Sequence, residues 1–311
     1  MISAMNFRRT CSLLAFATGL CAAQDFVWAP KKAADPYTGP HRPHTKLADL
    51  KARHANQAEW HEVIVDDDLL KSVYLQHKPG FKSRPALHPD TRAWWVVVEG
   101  EVRFNVEGTA PFVARMGSMV QVPMTTIFSY EAVGDKPVLL FETNIAKATT
   151  VFLADQAAPK MAGVDMMKMK IARRPGDYLR NNKVHTTFEE LSAKLEAGTL
   201  KGTQKVVEDD RGAANFIYGY EKNLGKLNLA DRGHFHTETA EYWLIMSGQI
   251  RYRIEGQEVF IAEPGDVVYV PRNRWHLARW FGAGPSTRLA MNGYPNLMHF
   301  YDPEMTVPGN K

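Results

Sequence analysis

Short runs of β-branched and aromatic residues, bounded by Gly, Pro or polar residues, occur in two parts of the chain. Each run is long enough for one strand and ends at a turn signal. The predicted strands of the second part are residues 241–246, 250–254, 258–261 and 267–270. Those of the first part are residues 94–98, 102–106, 111–114 and 119–122. Many short strands with close turns predict an all-β protein, built as a sandwich or a barrel.

The two parts are copies of one pattern. Gly100 and Gly248 are 148 residues apart (248 − 100), and the same spacing relates other residues without a gap. The further pairs are Gly108 and Gly256, Gly117 and Gly265, Pro123 and Pro271, Trp95 and Trp243, Phe112 and Phe260, and Asn144 and Asn292. Because Gly and Pro mark turns, a shared spacing predicts a shared backbone path. The sequence therefore predicts two similar β-domains in tandem.

The segments outside the two copies differ in composition. The chain before the first copy predicts an extended arm with a short helix over 45–54. Between the copies, Thr187 and Glu190 form a capping box that predicts a helix over 188–197. The Met-rich stretch 161–169 is expected to pack between the domains. The predicted boundaries are a signal peptide at 1–23, an N-terminal arm at 24–60, barrel 1 at 61–155, a linker with a helix at 156–205 and barrel 2 at 206–305.

The first residues carry the three parts of an export signal. Two arginines supply positive charge, residues 12–20 are apolar or small, and a small-residue site predicts cleavage before Gln24. The alternative is an ordinary amphipathic N-terminal helix. We expect a periplasmic or secreted protein without a thiol, because both cysteines, Cys11 and Cys21, lie inside the signal.

Charge and hydropathy narrow the classes of partner. The 311 residues carry a formal net charge of +4, and no long run of Lys or Arg occurs. A nucleic-acid-binding protein would be expected to show such a basic patch. The apolar run near the N-terminus is too short to span a bilayer. We therefore expect a small-molecule substrate, no nucleic acid and no membrane span, and we leave a homodimer open.

The second copy contains a set of metal-ligating side chains. In a strand, residues i and i+2 point the same way, so His234 and His236 aim two imidazoles at one point. Glu241 opens the next predicted strand after a short turn, and His276 follows the turn that begins at Pro271. Three neutral imidazoles and one carboxylate suit a divalent transition metal with open coordination positions. The alternative is four polar residues that line a barrel without metal.

These residues resemble the two sequence motifs of the cupin superfamily. Here the motifs run from His234 through His236 and Glu241 to Gly248, and from Gly265 through Pro271 to His276. The resemblance implies two cupin barrels (double-stranded β-helix, or jelly-roll) in tandem, with short connecting helices. It also carries the family's metal-ligand roles over to His234, His236, Glu241 and His276. Two non-ligand positions depart from the family pattern, namely Asn273 and Trp280.

The first copy has lost this ligand set. The equivalent positions carry Ala86, His88, Ala93 and Phe128. A single imidazole does not hold a divalent ion, so barrel 1 is predicted to be a degenerate cupin domain without metal. The apolar replacements predict a filled interior, in which His88 is a hydrogen-bonded polar residue.

Four further residues are candidates for substrate contacts. Tyr252 is predicted to point into barrel 2 and is a candidate catalytic hydroxyl, with aromatic packing as the alternative. Trp243 and Trp280 are candidates for an aromatic substrate-binding wall, or for packing. Arg232 lies close in sequence to the ligands and is a candidate for binding an anionic substrate, although surface charge is the simpler interpretation.

The resemblance implies an exported metal-dependent enzyme. The first hypothesis is a dioxygenase-type oxidoreductase acting on a small organic acid or aromatic compound, with one divalent transition metal. Fe or Mn is favoured, and Ni, Cu or Zn are alternatives, because all accept imidazole and carboxylate ligands. The alternatives are a non-redox lyase, isomerase or decarboxylase, and a non-catalytic ligand-binding or storage-type protein with two cupin domains.

Overall fold

The computed structural model describes residues 27–30, 32–199, 202–223 and 233–302. The chain divides into two compact units, residues 1–32 and 33–311, and the helices and strands described below belong to the second. The predicted signal peptide and its cleavage site lie outside the described residues. Among the helices that are described, none has the length and apolar character needed to cross a membrane.

Barrel 1 consists of two antiparallel sheets whose inner faces enclose one hydrophobic cluster. The first elements of the chain are β1 (His44–Thr45), α1 (Leu47–Arg53), β2 (Trp60–Asp66), β3 (Leu70–His77), β4 (Ala86–Leu87), β5 (Ala93–Glu99), β6 (Glu101–Val106), β7 (Phe112–Arg115), β8 (Met119–Val122), β9 (Phe128–Val133), β10 (Val138–Ile145) and β11 (Val151–Phe152). One sheet has the order β8-β5-β10-β3-β2 with one further strand beside β8, and the other has the order β11-β4-β9-β6-β7.

Barrel 2 repeats this arrangement. Its elements, with those of the linker, are β12 (His185–Thr186), α2 (Phe188–Glu196), β13 (Thr203–Asp209), β14 (Gly212–Tyr220), a 3-10 turn (Glu221–Asn223), β15 (Glu241–Ser247), β16 (Gln249–Ile254), β17 (Phe260–Ala262), β18 (Val267–Val270), β19 (His276–Phe281) and β20 (Pro285–Asn292). The larger sheet has the order β1-β18-β15-β20-β14-β13, and the smaller has the order β17-β16-β19. The predicted all-β fold with two jelly-roll barrels is therefore confirmed.

Four strands of barrel 1 recur in barrel 2 at the predicted spacing of 148 residues, with identical lengths. They are β5 and β15, β6 and β16, β8 and β18, and β9 and β19. Within β16, Ile250, Tyr252 and Ile254 are buried inside the barrel, whereas Arg251 and Arg253 are less buried. The predicted alternation of inward and outward side chains is thus confirmed for this strand.

The two barrels share a hydrophobic interface. Trp94 and Phe141 of barrel 1 pack in the same cluster as Phe216 and Tyr242 of barrel 2. The hydroxyl of Tyr242 also lies 2.7 Å from the hydroxyl of Ser72. Because both faces of β5 and β15 are covered, these strands are hydrophobic at almost every position instead of alternating.

The arm and the linker supply equivalent elements to opposite barrels. Strand β1 of the arm pairs with β18 of barrel 2, and β12 of the linker pairs with β8 of barrel 1. Each strand leads into a short helix that packs on a glycine of the same barrel: Leu47 of α1 contacts Gly265, and Phe188 of α2 contacts Gly117. Both glycines have positive φ (+85° and +80°), and an added Cβ would lie 2.3 and 2.7 Å from the helix side chains. Each barrel therefore has a short helix packed on the same glycine of the repeat.

Both predicted helices are present, as α1 and α2. The predicted cap of α2 forms as well, because Thr187 Oγ1 accepts a hydrogen bond from Glu190 N at 3.0 Å. Helix α1 has no cap from its own side chains, but Asp266 of barrel 2 accepts a hydrogen bond from Leu47 N at 3.0 Å.

The prediction that the Met-rich stretch packs between the domains is wrong. Met161, Met167 and Met169 are 48%, 75% and 60% exposed. The surrounding residues 165–179 form no helix or strand, so no regular backbone periodicity turns these methionines toward either barrel.

Candidate metal centre

The four predicted metal ligands come from three segments of barrel 2. His234 and His236 lie in the extended segment before β15, Glu241 is the first residue of β15, and His276 is the first residue of β19. His234 and His276 exchange two backbone hydrogen bonds of 3.0 and 2.9 Å. This pairing brings the extended segment to the end of β19, where the two motifs meet.

The side chains converge on one carboxylate oxygen. The Nε2 atoms of His236, His276 and His234 lie 3.0, 3.4 and 3.8 Å from Glu241 Oε2. One donor atom from each of the four residues lies within 4.8 Å of all the others. His236, Glu241 and His276 are buried, and His234 is partly exposed, so the cluster opens toward solvent on the His234 side.

Backbone carbonyls hold two of the imidazoles from behind. His236 Nδ1 lies 2.9 Å from the carbonyl oxygen of Met298, and His276 Nδ1 lies 3.1 Å from that of Arg274. Because a carbonyl oxygen only accepts, each Nδ1 donates, so Nε2 of each ring carries the lone pair for a metal once the ring is neutral.

The donor set fits a divalent transition metal. The Nε2 atoms of His234 and His276 are buried and have no hydrogen-bond partner within the part of the chain that the structure describes. An unpaired buried nitrogen costs free energy, and a metal ion would remove that cost for both imidazoles at once. Neutral imidazoles with one carboxylate are ligands that Fe, Mn, Zn and related ions accept.

The electrostatics of the cluster favour the metal-binding protonation states of Glu241 and His234, but not that of His236. Burial opposes ionisation of Glu241, but the three imidazoles around it outweigh burial and hold the pKa of this carboxyl well below its usual range. Burial lowers the pKa of His234 to about 3, although Glu241 acts in the opposite direction. At His236 burial acts to lower the pKa, but the hydrogen bond and the charge of Glu241, together with the bond to Met298, raise it, so metal binding there competes with a proton.

Two residues that sequence reasoning did not place border the open side. The segment after β20 pairs with the ligand segment through backbone hydrogen bonds of 3.0 and 3.1 Å between Phe235 and Phe300. The ring of His299 lies 4.4 Å from that of His234, and the ring of Tyr301 lies 6.0 Å from it. Both residues are exposed. The available signal was the i, i+2 spacing of His299 and Tyr301, which places both on one face of an extended segment. Nothing in the sequence related this segment to His234.

Asn292 is a second residue that sequence reasoning missed as a site candidate. It lies directly opposite Glu241 in the pairing of β20 with β15, and paired residues of antiparallel strands share a face. Its side chain is 3% exposed, and its Oδ1 has no hydrogen-bond partner among the described residues. Asn292 therefore offers an unused acceptor beside the carboxylate.

The structure places the candidates Trp243 and Tyr252 beneath the ligands, in the core of barrel 2. The Trp243 ring lies 5.3 Å from that of His276, so it forms an apolar floor of the cluster. Tyr252 packs 5.3 Å from Trp243 on the far side and is fully buried. Burial raises its pKa, and the nearby Arg288 opposes this only in part. A catalytic role for Tyr252 stays a prediction.

The other two substrate-binding candidates are Trp280, which lies away from the ligands, and Arg232, which is not among the described residues. Trp280 follows His276 on the same face of β19, about 13 Å further along at the usual strand rise. It packs against the backbone of Gly219. A substrate-binding role for Trp280 stays a prediction, as does one for Arg232, which lies outside the described residues.

Comparisons with known proteins agree with this architecture. A family model described as "Cupin domain" matches residues 73–144 and 230–290, one segment in each barrel. No curated protein sequence matches the chain.

Solved structures give similar folds at low sequence identity. Salicylate 1,2-dioxygenase from Pseudaminobacter salicylatoxidans has 14% identity and a TM-score of 0.56, with 85% of each chain covered. A point variant of oxalate decarboxylase from Bacillus subtilis has 15% identity and a TM-score of 0.50, with 85% of this chain and 80% of that chain covered. The two matched segments, one in each jelly-roll barrel, show that the chain carries two cupin domains, and the solved structures share their fold.

Proposed function

We propose that the protein is an exported enzyme that uses one divalent transition metal in barrel 2. The favoured reaction is a dioxygenase-type oxidation of a small organic acid or aromatic compound. The observation that carries the proposal is the convergence of three Nε2 atoms on Glu241, two of them buried without a hydrogen-bond partner among the described residues.

Iron or manganese suits this ligand set best among redox-active ions, because the cluster combines imidazole and carboxylate and contains no thiolate. When bound, such an ion supplies Lewis acidity and open coordination positions for O₂ and for a substrate carboxylate or enolate. The rest of the chemistry depends on the residues that surround the ligands.

The protein's own residues would orient the ligands and select the substrate. The carbonyls of Met298 and Arg274 fix two imidazoles, so their lone pairs stay directed at the centre. Trp243 closes the floor and excludes water from below. On the exposed side, His299 and Tyr301 supply hydrogen-bonding groups and aromatic edges, which suit a planar acid or a phenol.

The names of the similar structures support the substrate class. Salicylate and oxalate are both carboxylic acids, and one of the two named reactions is a dioxygenation. Because these structures share only the fold with this chain, the reaction and the substrate rest on the proposal.

The proposal is tested by metal content and O₂ uptake, measured on the purified protein and on His236→Ala. His61→Ala is the matched control, since His61 is an exposed histidine of β2, outside the cluster. We expect about one Fe or Mn per chain in the protein and in the control, and none in His236→Ala. O₂ uptake should occur with at least one member of a panel of hydroxybenzoates and short dicarboxylates, and should be lost with the metal.

Three outcomes would redirect the proposal. Zinc without O₂ uptake would favour a non-redox lyase or isomerase. Substrate loss with CO₂ release and no net O₂ uptake would favour a decarboxylase. No metal in protein prepared without chelators would contradict the enzyme proposal and favour a ligand-binding protein.

The proposed export rests on the signal pattern of residues 1–23 alone. Expression of the full chain in a Gram-negative host should yield a periplasmic protein whose first residue is Gln24, as measured by mass spectrometry of the intact chain. A cytoplasmic protein that retains residues 1–23 would contradict it.

A further inference from the structure

Barrel 1 contains a cavity of about 350 Å³ at the place where barrel 2 has its metal cluster. Ala86, His88 and Phe128 line it, and these are three of the four residues that stand at the ligand positions. The apolar replacements Ala86, Ala93 and Phe128 are buried in the hydrophobic cluster of barrel 1, as expected, and the cavity lies beside Ala86 and Phe128. Ala86 is smaller than His234, the residue at the equivalent position of barrel 2, which leaves room at this point.

An unpaired imidazole nitrogen borders this cavity. His88 is 6% exposed, and its Nδ1 lies 3.3 Å from the carbonyl oxygen of Thr149, to which it donates. Its Nε2 is buried and has no partner among the described residues. Burial lowers the pKa of His88, although the bond to Thr149 opposes this, so the ring is neutral and adds no positive charge beside the cavity.

A carboxylate without a counter-charge lines the same cavity. Glu142 of β10 accepts a hydrogen bond from Trp95 Nε1 at 2.6 Å and forms no ion pair with any described residue. The residue 148 positions later is Ala290, so this carboxylate belongs to barrel 1 alone. Burial raises the pKa of Glu142, although the hydrogen bond from Trp95 opposes this, and a cationic hydrogen-bond donor in the cavity would favour the ionised form.

Aromatic rings form the walls. Phe81, Phe128, Tyr130 and Phe152 all line the cavity. The hydroxyl of Tyr130 lies 3.1 Å from His77 Nε2, and the His77 ring stacks on Phe81 at 3.7 Å, so two of the walls are held in place. Aromatic faces beside a carboxylate are the surroundings in which organic ammonium groups are bound in proteins.

Cationic side chains at the edge of the cavity have other partners. Lys82 lies 3.4 Å from Glu131 outside the cavity, and an Arg84 Nη2 donates to the carbonyl oxygen of Ala157. The Nε of Arg84, however, is buried without a partner among the described residues. The Arg84 guanidinium lies over the Phe152 ring at 5.8 Å, at the edge of the cavity where its charge would attract a carboxylate on a ligand.

We propose that this cavity of barrel 1 binds a small organic ammonium compound without a metal. The ammonium group would donate to Glu142, and the aromatic walls would surround it. A compound that also carries a carboxylate, such as an amino acid, would pair with Arg84 as well and bind more tightly. This site is independent of the metal chemistry proposed for barrel 2.

Isothermal titration calorimetry of the full chain with three matched compounds tests the proposal. L-phenylalanine has both charges, 2-phenylethylammonium has only the cation, and 3-phenylpropanoate has only the anion. We expect L-phenylalanine to bind at least as tightly as 2-phenylethylammonium, and 3-phenylpropanoate to bind at least roughly 10-fold more weakly than both. Absence of binding by all three at millimolar concentration, or tightest binding by 3-phenylpropanoate, would overturn the proposal.

Variants assign the binding to barrel 1. Glu142→Gln keeps an acceptor for Trp95 and removes the charge, so affinity for 2-phenylethylammonium should fall roughly 10-fold or more. Glu131→Gln on β9 is the matched control and should bind as the wild type does, because Glu131 pairs with Lys82 and Arg103 outside the cavity. Unchanged affinity in Glu142→Gln would overturn the proposal.

Two further variants test whether the compound binds in the cavity of barrel 1 and not at the metal centre of barrel 2. Ala86→Met fills the cavity and should abolish binding while metal content and the thermal transition are retained. Glu241→Gln, which removes a metal ligand of barrel 2, should leave the ammonium affinity unchanged. Retained binding in Ala86→Met, or loss of binding in Glu241→Gln, would place the compound elsewhere and contradict the proposal.

Discussion

Strand β19 of barrel 2 begins with His276, and the equivalent strand β9 of barrel 1 begins with Phe128. Both strands have six residues. Strand β19 pairs with β16, and β9 pairs with β6, the equivalent strand of barrel 1. The backbone is therefore the same whether or not metal ligands are present. The comparison shows that the turn glycines and buried apolar residues determine the barrel, and that the metal cluster is a set of side chains carried on it.

The largest effect is expected when barrel 2 is given the residue of barrel 1. His276→Phe removes one of three imidazoles at a position where barrel 1 accommodates phenylalanine, so the fold should persist. Metal content should fall from about one ion per chain to none, and activity with it. At a metal concentration 100 times Kd, the wild type should also lose about 2.7 kcal/mol of stability on chelation.

Chelator titrations followed by thermal unfolding provide the control for this variant. The transition of His276→Phe should not respond to the chelator, whereas that of the wild type should shift to lower temperature. A variant that still contains one ion per chain would show that His276 is not a ligand.

The reciprocal change should add a metal to barrel 1. The triple variant Ala86→His, Ala93→Glu and Phe128→His restores the full ligand set around His88. If the two backbones are equivalent, metal content should rise from about one to about two ions per chain, measured by elemental analysis. A well-folded triple variant that still binds one ion would show that the barrels differ in more than these side chains.

The fold and the ligand set could be predicted from sequence because they depend on local spacing. The pairs Gly117 and Gly265 place turns, and His234, His236 and Glu241 lie within eight residues of one another. The docking of α1 on barrel 2 and of α2 on barrel 1 could not be predicted, because it depends on the path of the chain between the domains. His299 was missed for the same reason, because its position follows from the pairing of Phe300 with Phe235.

A smaller effect concerns the pH dependence of the free energy of unfolding, to which His77 of barrel 1 contributes. Burial lowers the pKa of His77 to about 4, below the ordinary value of 6.5. The unfolded state therefore binds more protons between these values, so the contribution of His77 is complete above pH 6.5 and is lost as the pH falls toward 4. Since the ring keeps some contact with solvent, we expect a loss of about 1–2 kcal/mol.

Urea unfolding at pH 7 and pH 5 measures this contribution as a difference between variants, because the ligands of barrel 2 titrate as well. His77→Gln should depend less on pH than the wild type, and the exposed His61→Gln should match the wild type. Equal pH dependence in all three proteins would rule out a role for His77.

The smallest effect concerns the two docking helices. Thr187→Ala removes the side-chain cap of α2 and should lower the free energy of unfolding by about 1 kcal/mol, whereas Thr187→Ser should retain it. Urea denaturation provides the measurement. A loss in Thr187→Ser as large as that in Thr187→Ala would show that the methyl group, and not the hydroxyl, stabilises this helix.

The most direct test of the single-site account is X-ray diffraction from crystals of the metal-loaded protein, collected above and below the absorption edge of the bound metal. The account predicts one anomalous peak per chain, among His234, His236, Glu241 and His276, and none in the cavity of barrel 1. A peak beside His88, or no peak among the four ligands of barrel 2, would contradict it.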